Sequence, residues 1–170
     1  MNLEILRIGT GIFILLLASY FDIFNNKIIP DWIYRSGIMM GVIFLALDNP
    51  WNWVSVITSI SLTFVLSTLL YLFGIWGGAD AKIMWAIAFL HPIWSSPFPF
   101  EKIIIYSYTP IIMLSNSFVL CTLGMLPLVV WRRTTKMKLT YLPWLTLGYM
   151  FVVLKGDALV WIRNYTFMHF

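Results

Sequence analysis

Six apolar runs separated by short polar breaks constrain this chain more than any other feature. Read against the roughly 20 apolar residues that a helix needs to cross a hydrocarbon core, the runs cover residues 3–21, 32–47, 53–76, 81–94, 103–131 and 141–162. Segments of this kind satisfy their backbone hydrogen bonds internally only as helices, so the expected fold class is an all-α integral membrane protein, a six-transmembrane-helix bundle. Composition points the same way. Hydrophobic residues make up 61% of the chain and charged residues 11%, where a soluble globular chain carries about 25% charged. The second and fourth runs are short and are expected to extend, tilt or sit behind neighbours, while the fifth is long enough to hold a kink at Pro110 or Pro127.

No Ser/Gly linker, charge run, low-complexity tract or inverted repeat divides the chain, so residues 1–170 are read as one domain. The first run carries Glu4 and Arg7 near its start and is followed by Asp22 and Asn25-Asn26, without a small-residue cleavage site. It is expected to be retained. A lone cysteine, Cys121, rules out an intramolecular disulfide, and the absence of a CxxC pair removes zinc ribbons and fingers. The net charge of +4 would suggest nucleic acid in a soluble protein, but here the basic residues sit between apolar runs, where they set membrane orientation. Lys27, Arg35, Lys82, Arg132, Arg133, Lys136 and Lys138 fall on one side; Arg7, Lys102 and Arg163 fall on the other, with Lys155 inside the last run. The first group is therefore expected on the cytoplasmic side, with both termini outside.

That topology, derived from loop charge alone, brings Asp22 and Asp80 to the same side of the bilayer. Each stands at the edge of an apolar run, where a carboxylate is costly and marks a functional position. Taken singly, Asp22 is a helix-end carboxylate near the headgroups and Asp80 an N-cap of the fourth run. Taken together, two carboxylates at one depth can form a dyad, in which close approach keeps one ionised to activate water and the other protonated to donate to a carbonyl. Such a pair titrates as a unit, so the base is not assigned to either residue. Gly77 and Gly78 are expected to let the backbone turn and an extended substrate approach, and Asp80 opens a helix whose N-terminal dipole meets the carboxylate. Neither His-Glu-x-x-His nor Gly-x-Ser-x-Gly occurs. No metal or organic cofactor is implied.

The segment Gly77-Gly78-Ala79-Asp80-Ala81-Lys82 resembles the Gly-x-Gly-Asp signature of membrane aspartyl proteases, in particular the archaeal preflagellin and type IV prepilin peptidases. Asp22 through Ile29-Pro30 is similar to their first-aspartate motif, an Asp followed by a polar, basic stretch and Ile-Pro. A third block, Pro97-Phe98-Pro99-Phe100 leading to Leu114-Ser115-Asn116-Ser117 and Leu126-Pro127, is similar to the archaeal branch. The resemblance implies an aspartic endopeptidase that cuts the short basic leader from pilin or archaellin precursors at the cytoplasmic membrane face, with Asp22 and Asp80 as the catalytic pair. Ala79 stands where the signature has its second glycine, and the cysteine-rich cytoplasmic domain of the bacterial enzymes has no counterpart, which argues against accessory methyltransferase activity. Because the aspartates belong to different runs, turnover is expected to require those helices to come together around substrate.

The remaining polar residues read more plainly. Lys82 snorkels to the headgroups and supports the site by biasing the dyad; Lys27 and Arg35 are positive-inside anchors. Asp31 and Asp48 are solvated loop or cap residues. Arg132, Arg133, Lys136 and Lys138 form a stop-transfer cluster against anionic lipid. Lys155 and Asp157 are expected to pair with Glu4 and Arg7, joining the first and last helices. Asn116 is an interhelical hydrogen-bond partner, while His91 and His169 are surface residues. Tryptophans at the run ends, Trp76 among them, form an interfacial belt, and the methionines pack. Two rival readings stay open: a proton-coupled transporter or channel using Asp22, Asp80 and Asp157, and a catalytically inactive assembly scaffold.

Overall fold

A computed structural model of the chain describes residues 3–24, 29–48, 53–93, 108–132 and 141–155, with side chains described to position 124 in the fourth of these stretches and to 154 in the last. It contains six helices and no strand among the described residues: α1 (Leu3–Phe24), α2 (Asp31–Asp48), α3 (Trp53–Leu72), α4 (Gly78–Leu90), α5 (Thr109–Arg132) and α6 (Leu142–Lys155). The helices appear in the order the six apolar runs led one to expect. Of these, α1 and α3, 22 and 20 residues long, are long and apolar enough to cross a membrane. By contrast, α2 carries Asp31, Arg35 and Asp48. The 13 residues of α4 extend only about 20 Å at 1.5 Å per residue, short of a core about 30 Å thick.

Small residues explain why so short a helix occupies the middle of the bundle. Seven of the residues of α4 are buried, namely Ala81, Ile83, Met84, Ala86, Ile87, Ala88 and Leu90. A helix apolar all round must be enclosed all round, and α4 packs on α1, α2, α3 and α5. Its closest neighbour is α2, through Gly37 and Gly41, one helical turn apart. A Cβ at Gly37 would lie 2.8 Å from that of Ala86, and one at Gly41 would lie 2.5 Å from the carbonyl carbon of Phe89. This is the small-residue packing by which membrane helices approach backbone to backbone. On the other flank, α3 lines up Ser59, Thr63 and Ser67, all buried; the Ser59 hydroxyl donates to the Pro92 carbonyl at 2.6 Å, and the Trp85 indole donates to Ser67 Oγ at 2.7 Å.

Helix α6 closes the bundle against α1 and α5. Ser19 and Thr146 hydroxyls bond at 2.8 Å, and Gly11 leaves room for the Tyr149 ring, whose oxygen is 2.6 Å from where a Cβ would stand. Leu15, Ile83, Ile87, Met113, Leu145 and Tyr149 meet in the shared core.

Several expectations are corrected here. The fifth helix starts at Thr109, so Pro110 falls in its first turn. There the missing N–H is an orphan anyway and no kink results. His91 is not a surface residue: it is 1% exposed, with Nδ1 3.2 Å from the Tyr149 hydroxyl and Nε2 3.5 Å from Glu4. Asp48, read as a solvated loop or cap residue, does end α2 with its side chain 45% exposed, and it also accepts from Arg7 at 3.0 Å; Arg7 donates in addition to the Phe44 carbonyl at 3.0 Å. Glu4 and Arg7 thus tie α1 to α2 and α4. The expected partners Lys155 and Asp157, the basic cluster at 132–138, Lys27, His169 and the block at 97–100 lie outside the described residues or side chains. Asn116 is fully buried.

Candidate active site

The end of the bundle opposite Glu4, Arg7 and His91 is shaped by how α3 stops. Gly74 has φ +69°, a left-handed conformation that only glycine adopts without strain. Around it the Gly74 N–H donates to the Tyr71 carbonyl and the Ile75 N–H to the Leu70 carbonyl, both at 3.0 Å. These two bonds are the pair that defines a Schellman C-cap. The chain is thereby turned through Ile75 and Trp76 straight into α4, whose N-cap is Gly77. Sequence analysis placed the turning residues at Gly77 and Gly78, but the left-handed glycine is Gly74. Gly74 lies inside the apolar run read as 53–76, so hydropathy gave no sign that the helix would stop before it.

Asp80 is the third residue of α4, and its Oδ2 accepts a 2.9 Å hydrogen bond from the Gly77 N–H. This is the returning half of a capping box; Gly77 has no side chain to supply the other half. The carboxylate is favoured there by the helix dipole, as expected from the sequence. Gly77 matters for a different reason than flexibility. A Cβ on it would stand 3.3 Å from Asp80 Oδ2, whereas a Cβ on Gly78 would meet Tyr71 at an ordinary 3.5 Å.

Asp22 lies inside the last turn of α1 and not beyond its end, because that helix runs on to Phe24. It is 7% exposed. A buried carboxylate at a helix C-terminus runs against the dipole, so it contributes nothing to helix stability that a neutral residue would not. Asp22, Gly74, Ile75, Trp76, Gly77, Gly78, Ala79, Asp80 and Tyr141 line a single cavity of about 410 Å³. Asp22 and Asp80 come from separate helices and reach it from two sides. Tyr141, the residue before α6, enters from a third.

Four of these lining residues, Gly74, Ile75, Trp76 and Tyr141, were not anticipated as site residues. Trp76, expected in an interfacial belt, is 5% exposed and packs its ring 5.4 Å from that of Tyr141. No local signal distinguishes either aromatic from a belt residue. Lys82, by contrast, lines a neighbouring cavity of about 430 Å³ with Asp31, Tyr34, Tyr71, Gly78 and Ala79. Its ammonium is 3.0 Å from Asp31 and 4.9 Å from the centre of the Tyr34 ring. Asp31 therefore joins α2 to α4 and is not merely solvated; it also faces Arg35 at 3.7 Å. Gly78 and Ala79 form the wall between the two cavities. Among the described residues no group of three His, Cys, Asp or Glu is placed to hold a metal ion.

Two carboxylates and a phenol around one cavity at the end of an apolar helical bundle define a site suited to acid–base chemistry on a bound carbonyl compound. The sequence profile of the type IV leader peptidase family matches residues 10–126, and the chain belongs to that family. The match contains Asp22, Gly77, Gly78, Ala79, Asp80 and Lys82, and ends before Tyr141. The resemblance read from the two aspartate motifs holds at family level, which makes the chain a leader-peptidase-like protease. No curated protein and no solved structure matches it.

Proposed function

We propose that the chain is a membrane aspartyl endopeptidase that removes the short basic leader from type IV pilin-like or archaellin precursors. In this reading all six helices lie in the cytoplasmic membrane, with α4 shielded by longer neighbours, and the site faces the cytoplasm. The observation that carries the proposal is the single cavity to which α1 brings Asp22 and α4 brings Asp80. Loop charge supports the orientation, since Arg35 and Lys82 lie at this end and positive residues collect on the cytoplasmic side.

One carboxylate, ionised, takes a proton from water as the oxygen attacks the scissile carbonyl carbon. The other, protonated, gives its proton to the carbonyl oxygen, forming a tetrahedral diol. Collapse then breaks the C–N bond, a proton passes to the leaving nitrogen, and the dyad returns to its starting state. Gly77 and Gly78 leave the cavity wall bare so that an extended backbone can approach, Ala79 completes that wall, and Lys82 supports the site from the neighbouring cavity, where it pairs with Asp31. Because the two aspartates ride on different helices, substrate entry is expected to adjust the gap between α1 and α4 before chemistry.

A proton relay is supported less well. Between the aspartate cavity and the Glu4–Arg7–His91 end, the core at α1 and α4 is built of Ile14, Leu15, Ala18, Ile83, Met84 and Ile87. The test is cleavage of a pilin-like or archaellin precursor co-reconstituted with the chain in lipid vesicles, comparing wild type with Asp22→Asn and Asp80→Asn. Leader removal by wild type alone is expected. Cleavage that survives either substitution would sink the dyad.

A further inference from the structure

We infer that Tyr141 is a third catalytic residue, whose phenol donates a hydrogen bond to the scissile carbonyl oxygen as negative charge develops on it. The inference rests on the peptidase reading and extends it to a helix outside the family match, which ends at residue 126.

Four observations converge. Tyr141 lines the same cavity as Asp22 and Asp80. Its ring is held, half-buried, against Trp76 at 5.4 Å, so the phenol is not swinging on an exposed stem. Its backbone is held too, since the Tyr141 carbonyl accepts from the N–H groups of Trp144 and Leu145 at 3.0 and 3.1 Å and so starts α6. Its hydroxyl has both Cys121 and Asp80 near enough to act on it electrostatically, and it makes no hydrogen bond with a described residue. A tyrosine buried to this degree ordinarily commits its O–H to a partner; a carbonyl oxygen bound in the cavity would serve as one.

Amide hydrolysis needs such a donor. When water adds to the carbonyl, charge builds on oxygen before the acidic carboxyl has delivered its proton, and a fixed donor aimed at that oxygen stabilises the transition state more than the bound substrate. The proton stays on Tyr141 throughout, so acid and base duties remain with the dyad. The N-terminus of α6 begins at the same point, and its dipole adds favourable potential for the forming oxyanion.

The experiment compares wild type, Tyr141→Phe and a chain carrying 3-fluorotyrosine at position 141, each reconstituted with a precursor bearing a basic leader. Phenylalanine keeps the ring on Trp76 and removes only the donor; fluorotyrosine keeps ring and donor. Tyr141→Phe is expected to lower kcat about 100-fold, the usual effect of losing one oxyanion donor, with KM and the pH of half-maximal rate unchanged. Fluorotyrosine is expected to retain most of the rate. Thermal unfolding of each variant separates a lost donor from a lost fold, and a Phe variant that unfolds early while fluorotyrosine stays fully active is resolved by assaying below its transition. An unchanged kcat, an effect confined to KM, or a shifted pH profile would each overturn the inference, the last because it would show Tyr141 acting through Asp80. A wild-type chain inert toward every precursor overturns the peptidase reading and this one together; an active wild type with an equally active Phe variant overturns this one alone.

Discussion

Asp22 and Asp80 differ in where their helices place them. Asp80 is fastened by the Gly77 N–H and the start of α4, whereas Asp22 sits at the unfavourable end of α1 with little access to water. In the proposed dyad the two act as one unit, and members of such a unit fail together. Asp22→Asn and Asp80→Asn are each expected to reduce precursor cleavage by about a thousandfold or more, and the double variant is expected to be no worse than either single one; measured rates that multiply would show two independent roles. The glycines on the site wall should also separate. Gly77→Ala puts a methyl 3.3 Å from Asp80 Oδ2 and removes a tolerable N-cap, at a cost of about 1 kcal/mol, with a fall in kcat as the carboxylate is displaced. Gly78→Ala meets only ordinary contacts at the start of a helix and is expected to leave unfolding temperature and rate near wild type. Both aspartates could be found in the sequence because a carboxylate at the edge of an apolar run is conspicuous against its neighbours. Tyr141 and His91 could not, because an aromatic or a histidine at a run end looks like an interfacial residue until distant helices close over it.

At the scale of elements, the long apolar runs of α1 and α3 are legible from hydropathy alone, since each has lipid-sized length and few charges. The ends are less so. The run read as 53–76 stops as a helix at Leu72 because Gly74 diverts it, and the run read as 81–94 begins at Gly78 because Asp80 caps what the glycines and alanine suggested was a turn. The joint between these helices lines the aspartate cavity, so it offers a direct test of the proposal. Gly74→Ala forces a Cβ into φ +69° and is expected to cost about 1–2 kcal/mol, with Gly74→Asn milder because asparagine tolerates that region. Denaturation in detergent, followed alongside cleavage, should show the rate falling in the same order, Gly then Asn then Ala. The small-xxx-small spacing of Gly37 and Gly41 was not singled out in the sequence. What it packs against was not legible either, because nothing local to α2 says that Ala86 and Phe89 will be the neighbours.

At the scale of the whole molecule, the charged groups among the described residues gather at the two ends of the bundle, and the two gatherings do different things. At one end the carboxylates line open space. At the other, Arg7, 5% exposed, is clamped between Asp48 and the Phe44 carbonyl, with Glu4 and the buried His91 and Tyr149 beside it. That end joins α1, α2, α4 and α6, so the movement expected of α1 against α4 during turnover has a fixed end to pivot on. Removing one partner of such a pair strands the other, while removing both as apolar residues costs little. Asp48→Ala leaves Arg7 buried and is expected to destabilise the chain by about 2–4 kcal/mol, toward the low side because Asp48 is itself 45% exposed in its side chain. The double change Asp48→Ala with Arg7→Leu is expected to recover more than half of that loss, a coupling that a double-mutant cycle on detergent unfolding measures directly. Both variants, and the Arg7→Leu single that completes the cycle, should keep wild-type kcat at temperatures below their transitions, because none touches the aspartate cavity. Additive losses would mean that the clamp is not a unit, and a kcat that falls with stability intact would mean that the far end of the bundle also sets the geometry at Asp22 and Asp80.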